Sequence, residues 1–137
     1  MRWLAGFLLL LVSSAAFAAT SEPYAKGGWY KDFKPELDRA SATGELFRIK
    51  GHCQSNCTLF LGLQNVCVER SATLLFHAGH DRQRNINAAS TQRMLSAYNA
   101  PLRQYLIAGH YMETLAFHAV PGSVIIDRFG YRECPRR

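Results

Sequence analysis

The chain has 137 residues, of which 48% are hydrophobic, and a formal net charge of +6 at neutral pH. This length accommodates one small domain. The basic residues are scattered and form no run interleaved with aromatic side chains, so a nucleic-acid partner is not expected; a scattered basic surface favours anionic surfaces such as a cell envelope.

The beginning of the chain has the organisation of a secretory signal peptide. Arg2 provides a positive charge, and the apolar run from Leu4 to Val12 is too short to cross a bilayer comfortably. Small residues end this segment, so we expect cleavage after Ala18 and a single domain over residues 19–137. An uncleaved N-terminal anchor is the alternative. The sequence therefore predicts an exported protein, periplasmic or secreted, without a later membrane span.

The first half of the mature chain predicts a helix, a strand and a second helix. Apolar residues recur at helical spacing over residues 29–43, with Gly44 as the stop and Pro35 delaying or kinking the helix. The segment "ELFRIKG" alternates as a short strand, and "SNCTLFLGL" predicts a short buried helix that starts at Ser55.

The second half predicts two strands followed by two helices. "NVCV" and "ATLLFHA" are short apolar strands, the second ending at His77, and a polar loop follows them. A long helix begins at Ser90, is bent at Pro101 and ends at Gly109. "GSVIIDRFGY" favours a last helix capped by Ser123 and stopped at Gly130, with a strand as the alternative. Alternating strands and helices of this kind indicate an α/β fold.

The four cysteines lie in the mature chain, where export favours disulfides over thiolate metal ligands. Four cysteines allow three pairings, and the sequence does not choose among them. We favour Cys57–Cys67 and Cys53–Cys134. Each bridge is expected to stabilise a domain of this size by about 2–4 kcal/mol.

Two residues on neighbouring predicted elements suggest nucleophilic catalysis. Ser55 starts a helix, where its hydroxyl is either a simple N-cap or a nucleophile beside free N–H donors. His77 ends a strand, and its ordinary pKa suits proton transfer near neutral pH. A histidine bonded only to the backbone is the simpler interpretation of His77. The pair Gly27 and Gly28 is either a flexible turn or a further source of N–H donors.

A zinc site is the competing interpretation of the histidines. His77 and His80 lie three residues apart, downstream of three of the cysteines, and mixed Cys and His sets bind zinc. The sequence has no C-x-x-C pair, however, and an exported protein favours disulfides. We therefore expect neither a metal nor another cofactor.

The order of four segments resembles the Clp-type serine peptidase and crotonase-like superfamily. A glycine pair precedes a helix, "CQSNCTLFLG" follows a strand, "LLFHAG" ends a strand, and "DRFGYREC" comes late in the chain. The resemblance extends over most of the mature chain and is strongest over residues 44–80. It implies truncated ββα layers in one disulfide-stabilised domain, and assembly into homo-oligomers.

Carried onto this sequence, the resemblance implies a set of catalytic roles. Ser55 would be the nucleophile and His77 the base. The implied oxyanion donors are Gly27, Gly28 and the backbone N–H of Asn56. The resemblance places the triad acid near residues 113–115, where Glu113 is the nearest carboxylate, with Asp127 as a second candidate.

Three functions follow from these alternatives. The first is an exported serine hydrolase that acts on a peptide or acyl bond. The second is a catalytically inactive protein of the same fold that binds or assembles in the cell envelope. A zinc-binding module is the third and least favoured.

Overall fold

A computed structural model describes residues 19–137 of the chain. The predicted signal peptide concerns residues 1–18, which lie outside the described residues. The helices are α1 (Tyr30–Thr43), α2 (Ala88–Ala97), α3 (Ala100–Ala108) and α4 (Gly122–Asp127), with short 3-10 helices at Glu22–Tyr24 and Ser55–Gly62. The strands are β1 (Ala19–Thr20), β2 (Phe47–Ile49), β3 (His52–Gln54), β4 (Val66–Val68), β5 (Thr73–Phe76) and β6 (His118–Pro121).

The strands form two three-stranded sheets. One has the order β1-β2-β4 and is parallel; the other has the order β3-β5-β6, with β3 and β5 parallel and β6 antiparallel to β5. The chain passes from β2 to β3 through Lys50 and Gly51, and Gly51 adopts a left-handed φ of 62°. A second pass runs from β4 to β5. Each of these two consecutive strand pairs, β2 with β3 and β4 with β5, therefore contributes one strand to each sheet.

The core is organised around the 3-10 helix Ser55–Gly62, which we call the central helix. Its Phe60 is fully buried and stacks on Phe47 of β2, with ring centroids 4.2 Å apart. Tyr24 and Phe33 pack against the same ring at 5.2 and 5.9 Å. Phe33 and Ala40, seven residues apart in α1, are the buried residues of that helix, so one face of α1 covers the core.

The predicted α/β domain and most of its elements are confirmed. α1 contains Pro35 in its first turns and ends at Gly44, which has a left-handed φ of 64°. The three predicted strands appear as β2, β4 and β5, whereas β1, β3 and β6 were not predicted. The buried helix from Ser55 is present, although it is a 3-10 helix.

The prediction of one long helix from Ser90 is wrong. The chain breaks between α2 and α3, where the side chain of Asn99 accepts a hydrogen bond from the Leu102 N–H and caps a new helix. Pro101 therefore lies in the first turn of α3, where a missing N–H costs nothing, and bends no helix. Ser123 does not cap α4 either, because the N-cap position is Pro121.

The favoured cysteine pairing is also wrong. The disulfides join Cys53 to Cys57 and Cys67 to Cys134, with Cα atoms 5.3 and 4.7 Å apart. Cys57 lies in the turn that follows Cys53, and the C-terminal segment pairs with β4, since the Cys134 N–H donates to the Val68 carbonyl. The backbone of the folded chain therefore places both cysteines of each pair side by side.

The disulfides remove the thiolate ligands that a zinc site would have needed. Cys53, Cys57 and Cys67 are all bridged, and residues 19–137 contain no group of three or more His, Cys, Asp or Glu side chains placed to hold a metal. None of the helices found in residues 19–137 combines the length and the apolar character that a membrane span requires.

Candidate functional site

A cavity of about 720 Å³ lies between four segments of the chain. They are the loop that contains Gly27 and Gly28, which we call the glycine loop, the start of α1, the start of the central helix and the loop after β5. Four of the residues proposed for catalysis line it, namely Gly28, Ser55, Asn56 and His77. The volume is within the range of small-molecule and peptide sites. The fold therefore brings the candidate nucleophile and the candidate base to one cavity.

Ser55 stands on a sharp turn between β3 and the central helix. Its φ of 55° is left-handed, a conformation that a serine adopts at a cost of about 1–2 kcal/mol. The N-cap of the central helix is Gln54, and within residues 19–137 no hydrogen bond joins the Ser55 hydroxyl to another group. The N-cap interpretation of Ser55 is therefore wrong, and its hydroxyl is available in the cavity.

The Cys53–Cys57 disulfide encloses this turn. Both cysteines are fully buried and stand two residues before and two residues after Ser55. The bridge ties the end of β3 to the first turn of the central helix. The left-handed conformation of Ser55 is thus held covalently on both sides.

The glycine loop is packed directly against Ser55. Gly27 has a φ of 73°, and a Cβ at this position would come within 2.8 Å of the Ser55 Cβ, so only glycine fits. Two side-chain amides on either side of Ser55 hold the loop. The Gln54 Nε2 donates to the Lys26 carbonyl at 2.8 Å, and the Asn56 Nδ2 donates to the Gly28 carbonyl at 2.7 Å.

Some of the backbone N–H groups near Ser55 already donate a hydrogen bond within the protein, and others do not. The Gly27 N–H donates to the Tyr24 carbonyl at 3.0 Å, so it is not available as the predicted oxyanion donor. The Gly28 N–H has no acceptor within residues 19–137. The Asn56 N–H lies in the first turn of the central helix, where no carbonyl precedes it in the ladder. Gly28 and Asn56 remain as candidate donors. Gly27 has a different role, because its missing side chain allows the loop to pack against Ser55.

His77 follows β5 directly and is buried. Its Nδ1 lies 2.6 Å from the Ala78 carbonyl oxygen. A carbonyl only accepts, so Nδ1 carries the proton and Nε2 keeps its lone pair in the neutral ring. The rings of Phe117 and His77 pack nearly perpendicular to each other, with centroids 5.2 Å apart. This ring is therefore held in the tautomer that a general base requires.

The pKa of His77 is lowered below its ordinary value. Burial is the main cause, and the nearby His80 and Arg84 act in the same direction, while the hydrogen bond to Ala78 opposes them. The ring is consequently neutral at neutral pH. Its environment suits a group that accepts a proton.

The carboxylates expected to orient His77 have other partners. Glu113 accepts from His110 Nδ1 at 2.9 Å in an exposed contact, and Asp127 binds Arg70 at 2.8 and 3.0 Å, which lowers the Asp127 pKa. Neither lines the cavity. The structure therefore does not place Glu113 or Asp127 as the triad acid, and the Ala78 carbonyl occupies the orienting position at His77.

Two features of the site lie beyond the sequence prediction. The first is the Ala78 carbonyl, a backbone group for which no side-chain pattern exists. The second is a set of cationic side chains around the cavity, contributed by segments far apart in the chain: Lys26, Lys31, Arg82, Arg84 and Arg93. Because these residues are separated along the sequence, the sequence alone did not predict that they would line one cavity.

We compared the chain with protein-family models, curated proteins and solved structures, and none of them matches it. The candidate site is therefore interpreted from the geometry and chemistry of its own residues. Within residues 19–137, that geometry consists of a serine hydroxyl without a hydrogen bond, the candidate N–H donors of Gly28 and Asn56, and a neutral histidine around one cavity.

Proposed function

We propose that the protein is an exported serine hydrolase of the Clp-type and crotonase-like superfamily that cleaves a peptide or acyl bond. One observation carries the proposal. The Ser55 hydroxyl has no hydrogen-bond partner within residues 19–137 and stands on a left-handed turn. It shares a cavity with His77, whose Nε2 is available to accept a proton. A nucleophile on a strained strand-to-helix turn is a recurring arrangement in hydrolases.

The proposed reaction has two steps. His77 Nε2 takes the Ser55 proton while Oγ attacks the carbonyl carbon, and the N–H groups of Gly28 and Asn56 hold the resulting oxyanion. The protonated His77 then gives its proton to the leaving group as the bond breaks. Water, activated by the same Nε2, hydrolyses the acyl-enzyme. The Ala78 carbonyl keeps the imidazole in the productive tautomer throughout.

The superfamily and the location rest on separate support. The chain makes two passes, each with one strand in each sheet, and the first pass leads into the central helix, as expected for ββα layers. Two disulfides are typical of an oxidising compartment, which agrees with a periplasmic or secreted protein. Assembly into a homo-oligomer stays a prediction.

A serine-directed fluorophosphonate tests the proposal. The folded, oxidised protein is expected to react, and mass spectrometry should place the adduct on Ser55. Ser55→Ala should abolish labelling. Ser90 lines the same cavity, so Ser90→Ala is the matched control and should label like the wild-type protein.

A second function is favoured by the partner of His77 Nδ1, which within the described residues is the Ala78 carbonyl and not a carboxylate. Loss of the triad acid lowers the rate of a serine hydrolase by roughly 10⁴-fold. A site oriented only by Ala78 would then suit an inactive protein that binds in the cell envelope. Folded, oxidised protein that fails to react with the fluorophosphonate would support this function over the hydrolase.

The pH dependence of labelling reports the state of His77. The reaction requires the neutral ring, and burial lowers the His77 pKa, so the rate is expected to be constant above pH 7 and to fall at a midpoint below about 6.5. Second-order labelling rates across pH 4.5–8 measure it. Arg84→Gln removes a nearby positive charge and should move the midpoint upward. A wild-type midpoint at or above about 6.5 would contradict the proposed role.

A further inference from the structure

The charge around the cavity is strongly one-sided. Five cationic side chains line it, and Asp81 is the single carboxylate among its lining residues. Asp81 is already engaged, because its Oδ1 accepts from the Asn85 N–H at 2.9 Å within its own loop. Within residues 19–137, none of the five cations is in an ion pair with a carboxylate.

The carboxylates of the protein are used elsewhere. Other cations pair closely, as in the contacts of Arg70 with Asp127 and of Arg48 with Glu69. Apart from Asp32 and Asp81, every one of the ten acidic residues contacts a basic side chain away from the cavity: Glu22, Glu36, Asp38, Glu45, Glu69, Glu113, Asp127 and Glu133. The cavity lining therefore keeps an excess of positive charge, with five cations against the single carboxylate of Asp81.

Aromatic side chains place this charge at the cavity wall. The guanidinium of Arg93 lies over the Tyr30 ring, 4.1 Å from its centroid, which orders a long side chain and keeps its N–H donors free. Trp29 packs edge-on against His80, with centroids 5.7 Å apart.

We infer that the site takes an acidic peptide, with Asp or Glu side chains close to the bond that Ser55 attacks. The inference rests on the proposed hydrolase function and names its substrate class. Guanidinium groups bind carboxylates and phosphates alike, but Ser55 requires a carbonyl carbon. A peptide has that carbon beside its acidic side chains, whereas a nucleic acid has none in its backbone.

Binding to an inactive protein separates substrate choice from catalysis. Ser55→Ala keeps the cationic wall and removes the nucleophile. Two short peptides with a neutral fluorophore, one with alternating Ala and Glu and one with alternating Ala and Gln, are titrated by fluorescence anisotropy. The Glu peptide is expected to bind about tenfold more tightly at low salt, with the difference shrinking at high ionic strength.

A charge-matched pair of variants localises the effect. In the Ser55→Ala background, Arg82→Gln with Arg93→Gln should lose most of the preference for the Glu peptide. Arg136→Gln with Arg137→Gln removes the same charge from the C-terminus, outside the cavity lining, and should keep the preference. Arg84 is left unchanged because it also influences the pKa of His77.

The outcomes distinguish the two proposals. Equal affinity for the two peptides, or equal losses in both double variants, would overturn the inference. Tighter binding of a single-stranded oligonucleotide than of the Glu peptide would also overturn it. A preserved Glu preference in a protein that never reacts with fluorophosphonate would uphold acidic-peptide binding and reject the hydrolase.

Discussion

Ser55→Gly is expected to abolish fluorophosphonate labelling and to give a protein about 1 kcal/mol more stable than Ser55→Ala. Both variants lack the hydroxyl, so both lose the reaction. They differ because alanine keeps the side chain that disfavours a φ of 55°, whereas glycine adopts this conformation freely. Urea unfolding of the two variants measures the difference, which is lowered somewhat by the greater freedom of glycine in the unfolded chain.

Ser90 provides a control at which the stability difference between the glycine and alanine variants is expected to have the opposite sign. It lies inside α2, where glycine is about 1 kcal/mol less favourable than alanine. Ser90→Gly should therefore be less stable than Ser90→Ala. Equal stabilities of Ser55→Gly and Ser55→Ala would show that no strain is concentrated at Ser55, and the case for a catalytic turn would weaken.

Removal of the two disulfides should separate stability from reactivity. Cys67→Ala with Cys134→Ala opens a loop of 67 residues and is expected to lower the free energy of unfolding by about 4 kcal/mol. Cys53→Ala with Cys57→Ala opens a loop of four and should cost about 2 kcal/mol. The order reverses for labelling, because the short bridge alone encloses Ser55.

Labelling rates are measured at a temperature where both double variants are folded by circular dichroism. The Cys53 and Cys57 variant should lose most of the wild-type rate, while the Cys67 and Cys134 variant should keep it. Alanine replaces each buried cysteine so that no unpaired hydroxyl is introduced. Similar rates in the two variants would show that the short bridge has no role in positioning the nucleophile.

The sequence predicted the helices and strands that depend on interactions between residues close together in the chain. The helix over residues 30–43 follows from its apolar spacing and the Gly44 stop, and the buried helix from Ser55 follows from its apolar run. The break before α3 was missed because apolar residues continue at helical spacing across Asn99, whose capping bond only the folded chain reveals. β6 was missed because its four residues, which end in Pro121, have no strand alternation.

The candidate site was predictable only where it consists of side chains close in sequence to recognisable elements. Ser55 and His77 meet that condition. The group that orients His77 is the Ala78 carbonyl, and the Gly27 N–H is already used by Tyr24; backbone bonds of this kind have no sequence signal. Cysteine pairing depended on the approach of the C-terminal segment to β4, a long-range contact.

The two disulfides follow one another along the chain, and this arrangement is expected to set an order for oxidative folding. Cys53 and Cys57 are close in sequence and are synthesised almost together. Their bridge closes the smallest ring that any two of the four cysteines can form, which costs the least loop entropy. Cys67 must then wait for Cys134, near the end of the chain. Early closure of the small ring removes Cys57 as a competitor for Cys67. The turn that presents Ser55 is thus expected to be complete before the rest of the domain is locked.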